Sequence, residues 1–516
     1  MNLNKLLTAL RQRKNTPAHN QPAERRERYT HALEQFLDGH QPAVRLSGAY
    51  TLANLADEWL ADASIPEQVR REEAQTIIDA LTGCIRTPYP LAQKRQILEA
   101  DEAPEGYEGD FTRDQEALRE EQLVRRTVFT EFSRRLAAAA ESTEKDNAES
   151  QHAVPPISPM WADLRFDFGG APIFYPLRQL HFQNADFASA TFYGQADFSG
   201  STFHGDTSFS AAQFTADASF HGVTFTGEVD FSDVVFSAAA DFGVASFEAD
   251  ADFSRLNTAG IASFAAIAFG GKAIFTASTF HDEAHFAASV FNRPAVFSKS
   301  LFGGVARFAG VVTKQSAMFS NVRFASAADF SGATFTQYED FGGARFDGDA
   351  TFSRASFIAL PRTSYEDMDF PQRANFDKVT FAQDADFSKA TFTAFVGFRR
   401  VTFAGAASFN GTSFEGAYFP GATFGQRADF RQTSFMYVKP SFEDLEERLQ
   451  TARFSAQADP QDYLFEARLE STHGFSCGET ELLNRTFVLP LDTVLYDPDS
   501  WDEEKQDYTR VSEPAQ

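Results

Sequence analysis

The chain has 516 residues, and 46 Lys and Arg against 72 Asp and Glu give it a formal net charge of -26. This balance argues against direct nucleic-acid binding, which needs clustered cations to neutralise phosphates. Two cysteines, Cys84 and Cys477, cannot build a disulfide framework or a four-ligand zinc site. No apolar run reaches the roughly 18 residues of a membrane span, and the first residues lack the apolar core of a signal peptide. We therefore expect a reducing, cytoplasmic location.

Four helices are predicted before residue 141. In the first, Tyr29, Leu33 and Phe36 recur at helical spacing, and Gly39 then ends the apolar pattern. The stretch 101–110 is acidic, and residues 141–159 are polar and contain proline, which favours disorder. The sequence thus predicts a helical module over 1–140 and a linker over 141–163. The predicted helices are Arg28–Leu37, Val44–Leu60, Glu72–Arg86 and Asp114–Ala140.

Phenylalanine is the unusual feature of the composition, with 57 residues. From Phe187 to Phe352 one series of Phe recurs every 11 residues without a miss. A second series, from Phe192 to Phe357, is interrupted only by Thr258 and Thr313. Successive Phe are therefore five and six residues apart in alternation, and the unit reads A-D-F-S-x-A-T-F-x-G-x. We expect the glycines of this unit to supply a permissive backbone at the corner after the second Phe.

This spacing excludes two alternative folds. An 11-residue period also occurs in right-handed coiled coils, but on a helix two Phe five residues apart point about 140° apart. A flat antiparallel sheet fails as well, because its inward positions recur every two residues. Steps of five and six suit a chain that turns a corner after each short strand. Four such sides close a coil of 22 residues with Phe inside, and successive coils would stack about 4.8 Å apart.

Residues 185–192 and 328–335 both read Ala-Asp-Phe-x-x-Ala-Thr-Phe. They resemble the pentapeptide-repeat family, whose unit is Ala-(Asp/Asn)-(Leu/Phe)-x-x. The resemblance covers residues 164–440 and implies a mainly β fold, a right-handed quadrilateral β-helix of about 11–12 coils. Every second unit has one residue more than the family pattern, which implies coils of 22 rather than about 20 residues.

The N-terminal helices resemble a HEAT-like helical module that accompanies pentapeptide repeats in some bacterial proteins. Several relatives place membrane spans upstream of this module, whereas we find no such span here. The residues that carry the resemblance are Arg28, Tyr29, Ala32 and Leu33, followed by Val44, Arg45, Leu46, Gly48, Tyr50 and Leu52.

Two breaks in the Phe register predict irregular coils. Phe352 and Phe376 are 24 residues apart where two units need 22, which predicts a small insertion that projects as a loop within Ile358–Ala374. Phe414 and Phe419 are five residues apart where six are expected. A tolerated insertion is the simpler interpretation of the loop, and a partner-binding loop is the alternative. Its candidate interaction residues are Glu366, Asp367 and Asp369.

Residues 441–516 hold 6 basic and 18 acidic groups. Ser441 followed by Asp444 is a variant of the helix capping box, and we predict that this helix plugs the end of the bore. A strand is predicted over Thr486–Leu495 and an acidic tail over Asp497–Gln516. This last part is therefore interpreted as a small α+β region with a capping helix and a tail.

The residues before each Phe of the first series should point outward and align every 22 positions. One outward row begins with acidic and Ser residues and becomes apolar, and another ends with His285 and Arg307. An exposed apolar row is typical of a partner or self-association site, although β-propensity also places Ile and Val on strands. The candidate interaction residues of the two rows are Asp186, Asp197, Asp230, Asp241, Asp252, Ile274, Val296 and Met318.

The sequence carries no recognisable motif for catalysis or for binding a cofactor or a metal. His281 and His285 bracket Glu283, but the zinc motif needs a different Glu position and a helix. A bore filled with Phe would leave no internal pocket. We therefore predict a non-enzymatic scaffold without cofactor that binds an unknown protein partner. Formation of a homodimer through the apolar row is a second prediction.

The alternative function is DNA mimicry. Some pentapeptide-repeat proteins resemble B-DNA in width and charge and bind DNA gyrase or other type II topoisomerases. Residues 161–250, with 2 basic and 12 acidic groups, favour this alternative. Residues 251–440, with 18 basic and 16 acidic groups, count against it.

The inward position of the first Phe series can be tested at Phe264. Phe264→Asp would bury an unpaired carboxylate and should lower the melting temperature strongly or prevent folding. Thermal unfolding followed by circular dichroism measures this, with the outward neighbour change Ser263→Asp as the control. An unchanged melting temperature for Phe264→Asp would contradict the inward placement.

Overall fold

The computed structural model describes residues 20–38, 41–146, 161, 163–358, 374–443 and 451–516. The fold is a mainly β parallel solenoid of about 12 coils, with helices at the N-terminus and small antiparallel hairpins at the C-terminus. The chain divides into two compact units, Met1–Phe231 and Ser232–Gln516. In the described part of the chain, no helix has both the length and the apolar character needed to cross a bilayer.

Among the described residues, the α-helices all lie in the first unit and include the four that the apolar spacing predicts. All four helices begin earlier than expected, and the last one continues six residues into the predicted linker. Residues 147–160 and 162 of that linker lie outside the described residues. The HEAT-like arrangement stays a prediction. The helices are α1 (Asn20–Phe36), α2 (Pro42–Ala61), α3 (Glu67–Ile85), α4 (Arg95–Leu98) and α5 (Phe111–Asp146), with a 3-10 turn at Pro90–Lys94.

A buried ionic network ties these helices together. Arg125 on α5 is 2% exposed and donates hydrogen bonds to the backbone oxygens of Ile85 and Thr87 and to the carboxylate of Glu121. Arg45 on α2 also donates to Glu121. Burial opposes ionisation of Glu121, but these hydrogen bonds and the two guanidinium charges hold its pKa below the usual value. A buried pair of this kind is costly to break on one side.

Each coil contains four short strands, which stack in parallel on the strands of neighbouring coils. In a strand such as Ala273–Ile274 the small residue is buried, the next residue faces outward, and the following Phe275 is buried. The same order recurs on every side of the coil, which confirms the inward Phe series. We number the four sides in chain order as columns 1 to 4.

In the first unit, column 1 holds His181–Gln183, Thr202–His204 and Thr224–Phe225; column 2 holds Phe166–Asp167, Ala185–Asp186, Thr207–Ser208 and Val229–Asp230; column 3 holds Pro172–Ile173, Thr191–Phe192 and Gln213–Phe214; and column 4 holds Ala196–Asp197 and Ala218–Ser219.

In the second unit, column 1 holds Ser246–Phe247, Ala268–Phe269, Val290–Phe291, Val312–Thr313, Thr334–Thr336, Ser356–Ile358 and Ser434–Phe435, and Thr391–Gly397 and Ser413–Tyr418 span columns 1 and 2. Column 2 holds Ala251–Asp252, Ala273–Ile274, Ala295–Val296, Ala317–Met318, Glu339–Asp340 and Ala374–Asn375. Column 3 holds Val235–Phe236, Asn257–Thr258, Thr279–Phe280, Leu301–Phe302, Arg323–Phe324, Arg345–Phe346, Thr380–Phe381, Thr402–Phe403, Thr423–Phe424, Arg453–Ser455 and Val494–Tyr496. Column 4 holds Ala240–Asp241, Ala262–Ser263, Ala284–His285, Ala306–Arg307, Ala328–Asp329, Ala350–Thr351, Ala385–Asp386, Ala407–Ser408, Ala428–Asp429 and Tyr463–Leu464.

The Phe rings stack along each column. In the second unit, Phe275 lies 4.9 Å from Phe297, and Phe297 lies 4.9 Å from Phe319, with interplanar angles of 2° and 3°. Within one coil, Phe275 meets Phe286 of column 4 edge to face, at 5.3 Å and 89°. Both arrangements are favoured between aromatic rings. The register of 22 residues between coils is thus fixed by ring stacking as well as by backbone hydrogen bonds.

The expectation of a permissive backbone holds for the corner glycines Gly194 and Gly205, whose φ values are 73° and 68°, but it fails for others. Gly227 and Gly271 do not adopt a positive φ, but a Cβ on either would approach backbone atoms of the preceding coil to 2.2 Å. A positive φ recurs in every coil two residues after each Phe of the first series, as at Ser189 and Val244. There, the residue occupies the third position of a β-turn, in which Phe242 O accepts from Ala245 N.

The insertion is larger than the sequence predicts. Phe341 stacks on Phe376 and Phe352 on Phe387, each pair 35 positions apart instead of 22, so a single step contains 13 extra residues. Because Phe357 continues the second series, the whole insertion falls between it and Phe376. Residues 359–373, and with them the candidates Glu366, Asp367 and Asp369, lie outside the described residues.

The shortened step near the C-terminal end gives coils of 21 residues. Thr402 pairs with Thr423 and Ala407 with Ala428, and the register shifts between Phe392 and Phe395. One deleted residue is therefore absorbed as a local irregularity of the backbone while the rings stay stacked.

Aromatic side chains cover the ring columns within each unit. In the first unit, Phe129 of α5 stacks on Phe168 at 4.6 Å, and Phe132 lies 5.1 Å from Phe166. The long helix therefore covers the first coil, a role that the sequence analysis did not assign to it. Covering the open end of a parallel solenoid protects its unpaired strand edges.

In the second unit, described residues after 440 continue the columns. Phe454 stacks on Phe424 at 4.8 Å, and Phe465 stacks on Phe430 at 5.5 Å. Phe475 meets Phe435 edge to face. These rings cover the last coil, whereas the predicted plug helix after Ser441 falls mostly on residues 444–450, outside the described residues.

The acidic end of the chain contains two antiparallel hairpins. The strand predicted over Thr486–Leu495 is interrupted, and its two halves pair with different strands. The hairpin strands are Cys477–Leu482 with Arg485–Pro490, and Trp501–Asp502 with Asp507–Tyr508. Val494–Tyr496 instead pairs with Arg453–Ser455 of column 3. Two 3-10 turns complete this part, Pro460–Asp462 and Pro498–Ser500.

The two interruptions of the Phe series offer a test of the core. Thr313 is 2% exposed between Phe291 and Phe335, and Thr258 is fully buried; among the described residues neither hydroxyl has a hydrogen-bond partner. Thr313→Val keeps the shape and removes the unsatisfied hydroxyl, so it should raise the free energy of unfolding by about 1 kcal/mol.

Urea unfolding measures this change. The matched control is Thr279→Val at a half-buried outward position, which should change stability by less than about 0.5 kcal/mol. Loss of stability in Thr313→Val would mean that the hydroxyl is satisfied in solution.

Candidate interaction surface

The outward Asp residues stabilise the turns of the solenoid. Asp252 accepts a hydrogen bond from the backbone N–H of Ser254 at 2.7 Å, and Asp340 accepts one from Gly342 at 2.9 Å. Asp186 does the same for Ala188. This is an Asx turn, in which a short acidic or amide side chain caps the backbone two residues on. The recurrent Asp of the repeat therefore has a structural role, which the sequence analysis did not recognise.

The structure distributes the acidic candidates over two columns. In the first unit, Asp186 and Asp230 are aligned in column 2 with Ser208 between them, and Asp197 lies in column 4. Burial opposes ionisation of Asp197, but hydrogen bonds from Ser199 and the guanidinium of Arg178 keep its pKa below the usual value. In the second unit, the candidates Asp241 and Asp252 begin columns 4 and 2, respectively.

The apolar candidates form a continuous row in column 2 of the second unit. Ile274 pairs in register with Val296, and Val296 with Met318. All three side chains face outward and are half-buried. In the described structure no side chain caps the backbone N–H of the residue two positions after any of them, because an alkyl group cannot accept a hydrogen bond. We call these three residues the apolar row.

Cations lie beside the apolar row, at the corner between columns 1 and 2. Lys272, Arg293 and Lys314 occupy this corner in three successive coils. Arg293 and Lys314 are exposed and Lys272 is half-buried. Some nearby cations have carboxylate partners, as Arg255 has Asp233 and Arg307 has Glu283, whereas Lys299 forms no ion pair with a described carboxylate. Within the described residues, no carboxylate forms an ion pair with the three corner cations.

A second line of apolar residues flanks the corner from column 1. Val290 pairs with Val312, and Ala268 precedes them in the same register. The three corner cations therefore lie between two apolar lines. Residues 255–323 contain seven Lys or Arg and two Asp or Glu, which makes them a basic segment in an acidic chain.

With this geometry in view, the comparisons identify the repeat. The protein-family model described as pentapeptide repeats (9 copies) matches residues 187–235 and 387–434. This chain carries pentapeptide repeats. Coils between the two matched segments keep the same register and burial pattern, as in Ala273–Ile274 and Ala295–Val296. No curated protein and no solved structure matches the chain.

Column 4 of the pentapeptide-repeat coils holds a small ionic cluster. His285 lies 2.8 Å from Glu283, which also pairs with Arg307 at 3.1 Å. Both hydrogen bonds lower the pKa of Glu283, and the one from His285 has the larger effect. The cluster joins neighbouring coils of the surface, and its three side chains are partners of one another.

Two features that could serve catalysis are a metal-ligand cluster and an open cleft. Among the described residues, no group of three or more His, Cys, Asp or Glu side chains could hold a metal ion. An open cleft of about 220 Å³ in the first unit lies between α5 and the first pentapeptide-repeat coils. Its lining includes Arg126, Phe129, Leu177 and Arg178, and Arg178 is paired with Asp197. Apolar side chains and arginines do not form a general acid–base pair.

The sequence identified part of this surface. The period of 22 residues placed Ile274, Val296 and Met318 in one row, as the structure does. The corner cations were missed because Lys272, Arg293 and Lys314 do not share one position of the repeat. The excess of Lys and Arg over Asp and Glu in residues 255–323 could have indicated them. This excess is hidden when charges are counted over longer segments.

The turn role of the outward position can be tested at Val296. Val296→Asn introduces an acceptor for the Ser298 N–H, as Asn375 Oδ1 accepts from Asp377 N. This hydrogen bond contributes about 1 kcal/mol, which offsets the lower β-propensity of Asn. We expect the free energy of unfolding to stay within about 1 kcal/mol of the parent or to rise.

Chemical denaturation of the Val296→Asn variant, compared with that of the Phe297→Ala variant, measures this change. Truncation of the neighbouring buried ring should cost about 3–5 kcal/mol. A loss of similar size in Val296→Asn would show that the Val side chain is itself needed by the core.

Proposed function

We propose that the protein is a non-enzymatic scaffold whose pentapeptide-repeat coils bind another protein through their outward side chains. The observation that carries the proposal is the contrast between the two sides of the strands. Inward positions repeat the same small residue and Phe from coil to coil, whereas outward positions change from acidic to apolar and back to acidic along column 2, and from Asp241 to Arg307 along column 4. A uniform core with a varied surface suits recognition by a rigid frame.

The filled interior supports a binding role over a catalytic one. Stacked rings such as Phe275, Phe297 and Phe319 are fully or almost fully buried and occupy the inside of the coils. Ligand sites are usually concave and need unfilled volume. The outward strand faces are the surfaces that remain for contact with a partner.

Affinity capture with the full-length protein tests the scaffold. We expect at least one protein from an extract of the source organism to be retained and then to bind the purified chain with a measurable dissociation constant. Deletion of residues 1–160 would be a poor control, because it removes Phe129 and Phe132 and uncovers the first coil. Outward substitutions that preserve the melting temperature are the better control. Retention no greater than that of an unrelated acidic protein would contradict the proposal.

DNA mimicry is the second candidate, and the acidic residues of the first unit favour it. The carboxylates of Asp186 and Asp230 recur along one column, as phosphates recur along a strand of DNA. Mimicry predicts that the protein inhibits DNA gyrase supercoiling or protects gyrase from quinolones. Changing Asp186, Asp197, Asp230 and Asp241 to Asn should abolish the effect, since Asn removes the charge but keeps the turn acceptor. No effect of the parent protein at micromolar concentration would remove this candidate.

A further inference from the structure

We infer that the apolar row and the corner cations bind an acidic amphipathic helix of the partner protein. This inference rests on the proposed scaffold function and assigns to it a surface and a partner chemistry. The surface comprises Ile274, Val296 and Met318 with Lys272, Arg293 and Lys314, all in the second unit.

The apolar row departs from the local rule of the fold. The residues before and after it in column 2, Asp252 and Asp340, both cap their turns. Three successive coils between them lack this cap and present alkyl or thioether groups instead. A partner that covers these half-buried apolar side chains removes their remaining surface from water, which stabilises the complex in proportion to the area covered. The row therefore offers three adjacent anchor points.

Charge complementarity determines the chemistry of the occupant. Among the seven Lys and Arg of residues 255–323, Arg255, Arg307 and Arg323 have carboxylate partners in the described structure, whereas the three corner cations and Lys299 do not. In a chain of net charge -26, three unpaired cations beside an apolar row favour a ligand with carboxylates. The net negative charge of the chain would attract a basic helix, but at this corner that helix would meet like charges and leave the three cations unpaired.

The spacing of the row fits a helix. The rings behind the row are 4.9 Å apart from coil to coil, so the three outward side chains span about 10 Å. Apolar residues at positions i, i+4 and i+7 of an α-helix span about 10.5 Å along its axis. An extended strand, with same-face residues about 6.8 Å apart, would miss the third anchor. Helix-in-groove recognition uses the same i, i+4, i+7 pattern.

The ends of the row limit the bound segment. Asp252 and Asp340 border it on either side and would repel the carboxylates of a longer acidic helix. The contact therefore involves about two helical turns, with the acidic side of the helix turned toward Lys272, Arg293 and Lys314. A contact of this size gives a transient rather than an obligate complex.

Fluorescence anisotropy with a defined peptide tests the inference on the full-length protein. The probe is a labelled helical peptide with Leu at positions i, i+4 and i+7 and Glu on both flanks. The parent protein should bind it with a micromolar dissociation constant, and added salt should weaken binding. A peptide with Lys in place of Glu, or Ser in place of Leu, should bind at least tenfold more weakly.

The decisive variants are Val296→Asn, which keeps the turn, and the combined change Lys272→Glu, Arg293→Glu and Lys314→Glu. Each should weaken binding at least tenfold while the melting temperature stays close to that of the parent. The matched controls are Val235→Asn, at an outward Val of column 3 that is 37% exposed, and Lys378→Glu, at an outward turn. Both controls should bind like the parent.

Four results would overturn the inference. They are no binding of the acidic peptide, equal binding by all variants, tighter binding of a short DNA duplex through the corner cations, and a concentration-dependent dimer that Val296→Asn abolishes. If affinity capture retains a partner that these variants still bind, the scaffold stands and this surface is wrong. If the peptide binds but no protein is retained, the surface stands and the scaffold is wrong.

Discussion

Stacking of phenylalanine rings along four columns is the constraint on which the rest of the structure depends. Because each ring must lie about 4.9 Å above its equivalent, the chain has to return to the same position after each coil. The irregular coils show how strict this requirement is. A step with 13 extra residues and a step with one residue fewer both leave the rings stacked, and the backbone outside them absorbs the difference. The 13 extra residues fall in sequence between Phe357 of column 1 and Phe376 of column 2, and both of these rings stay stacked.

The same constraint separates the roles of neighbouring residues. In the triplet of small residue, outward residue and Phe, the first and third positions are set by the interior, and only the second is available for recognition. Most second positions still serve the fold, since Asp, Asn or Ser there caps the next turn. The row Ile274, Val296 and Met318 forgoes this cap in three consecutive coils. An outward side chain that the turn does not use is the strongest indication of a surface with another purpose.

The ends of the ring columns need side chains from outside the repeat. Phe129 and Phe132 of α5 cover the first coil in one unit, and Phe454, Phe465 and Phe475 cover the last coil in the other. Aromatic rings meet aromatic rings at both places, so the covering segments continue the packing of the core. The flanking regions are thus required for stability as well as for any interaction they make.

The sequence by itself determined the coil, because a spacing that alternates between five and six residues from Phe to Phe admits no regular helix or flat sheet. It also determined the inward and outward positions, including the alignment of Ile274 with Val296 and Met318. Only the tertiary structure decided that Phe129 covers a coil, that Gly227 avoids a clash with the preceding coil, and that Lys272, Arg293 and Lys314 lie unpaired at one corner. These features join residues at unequal sequence separations or depend on distances between backbones. Periodicity compares only equivalent positions of the repeat, so it carries no information about either.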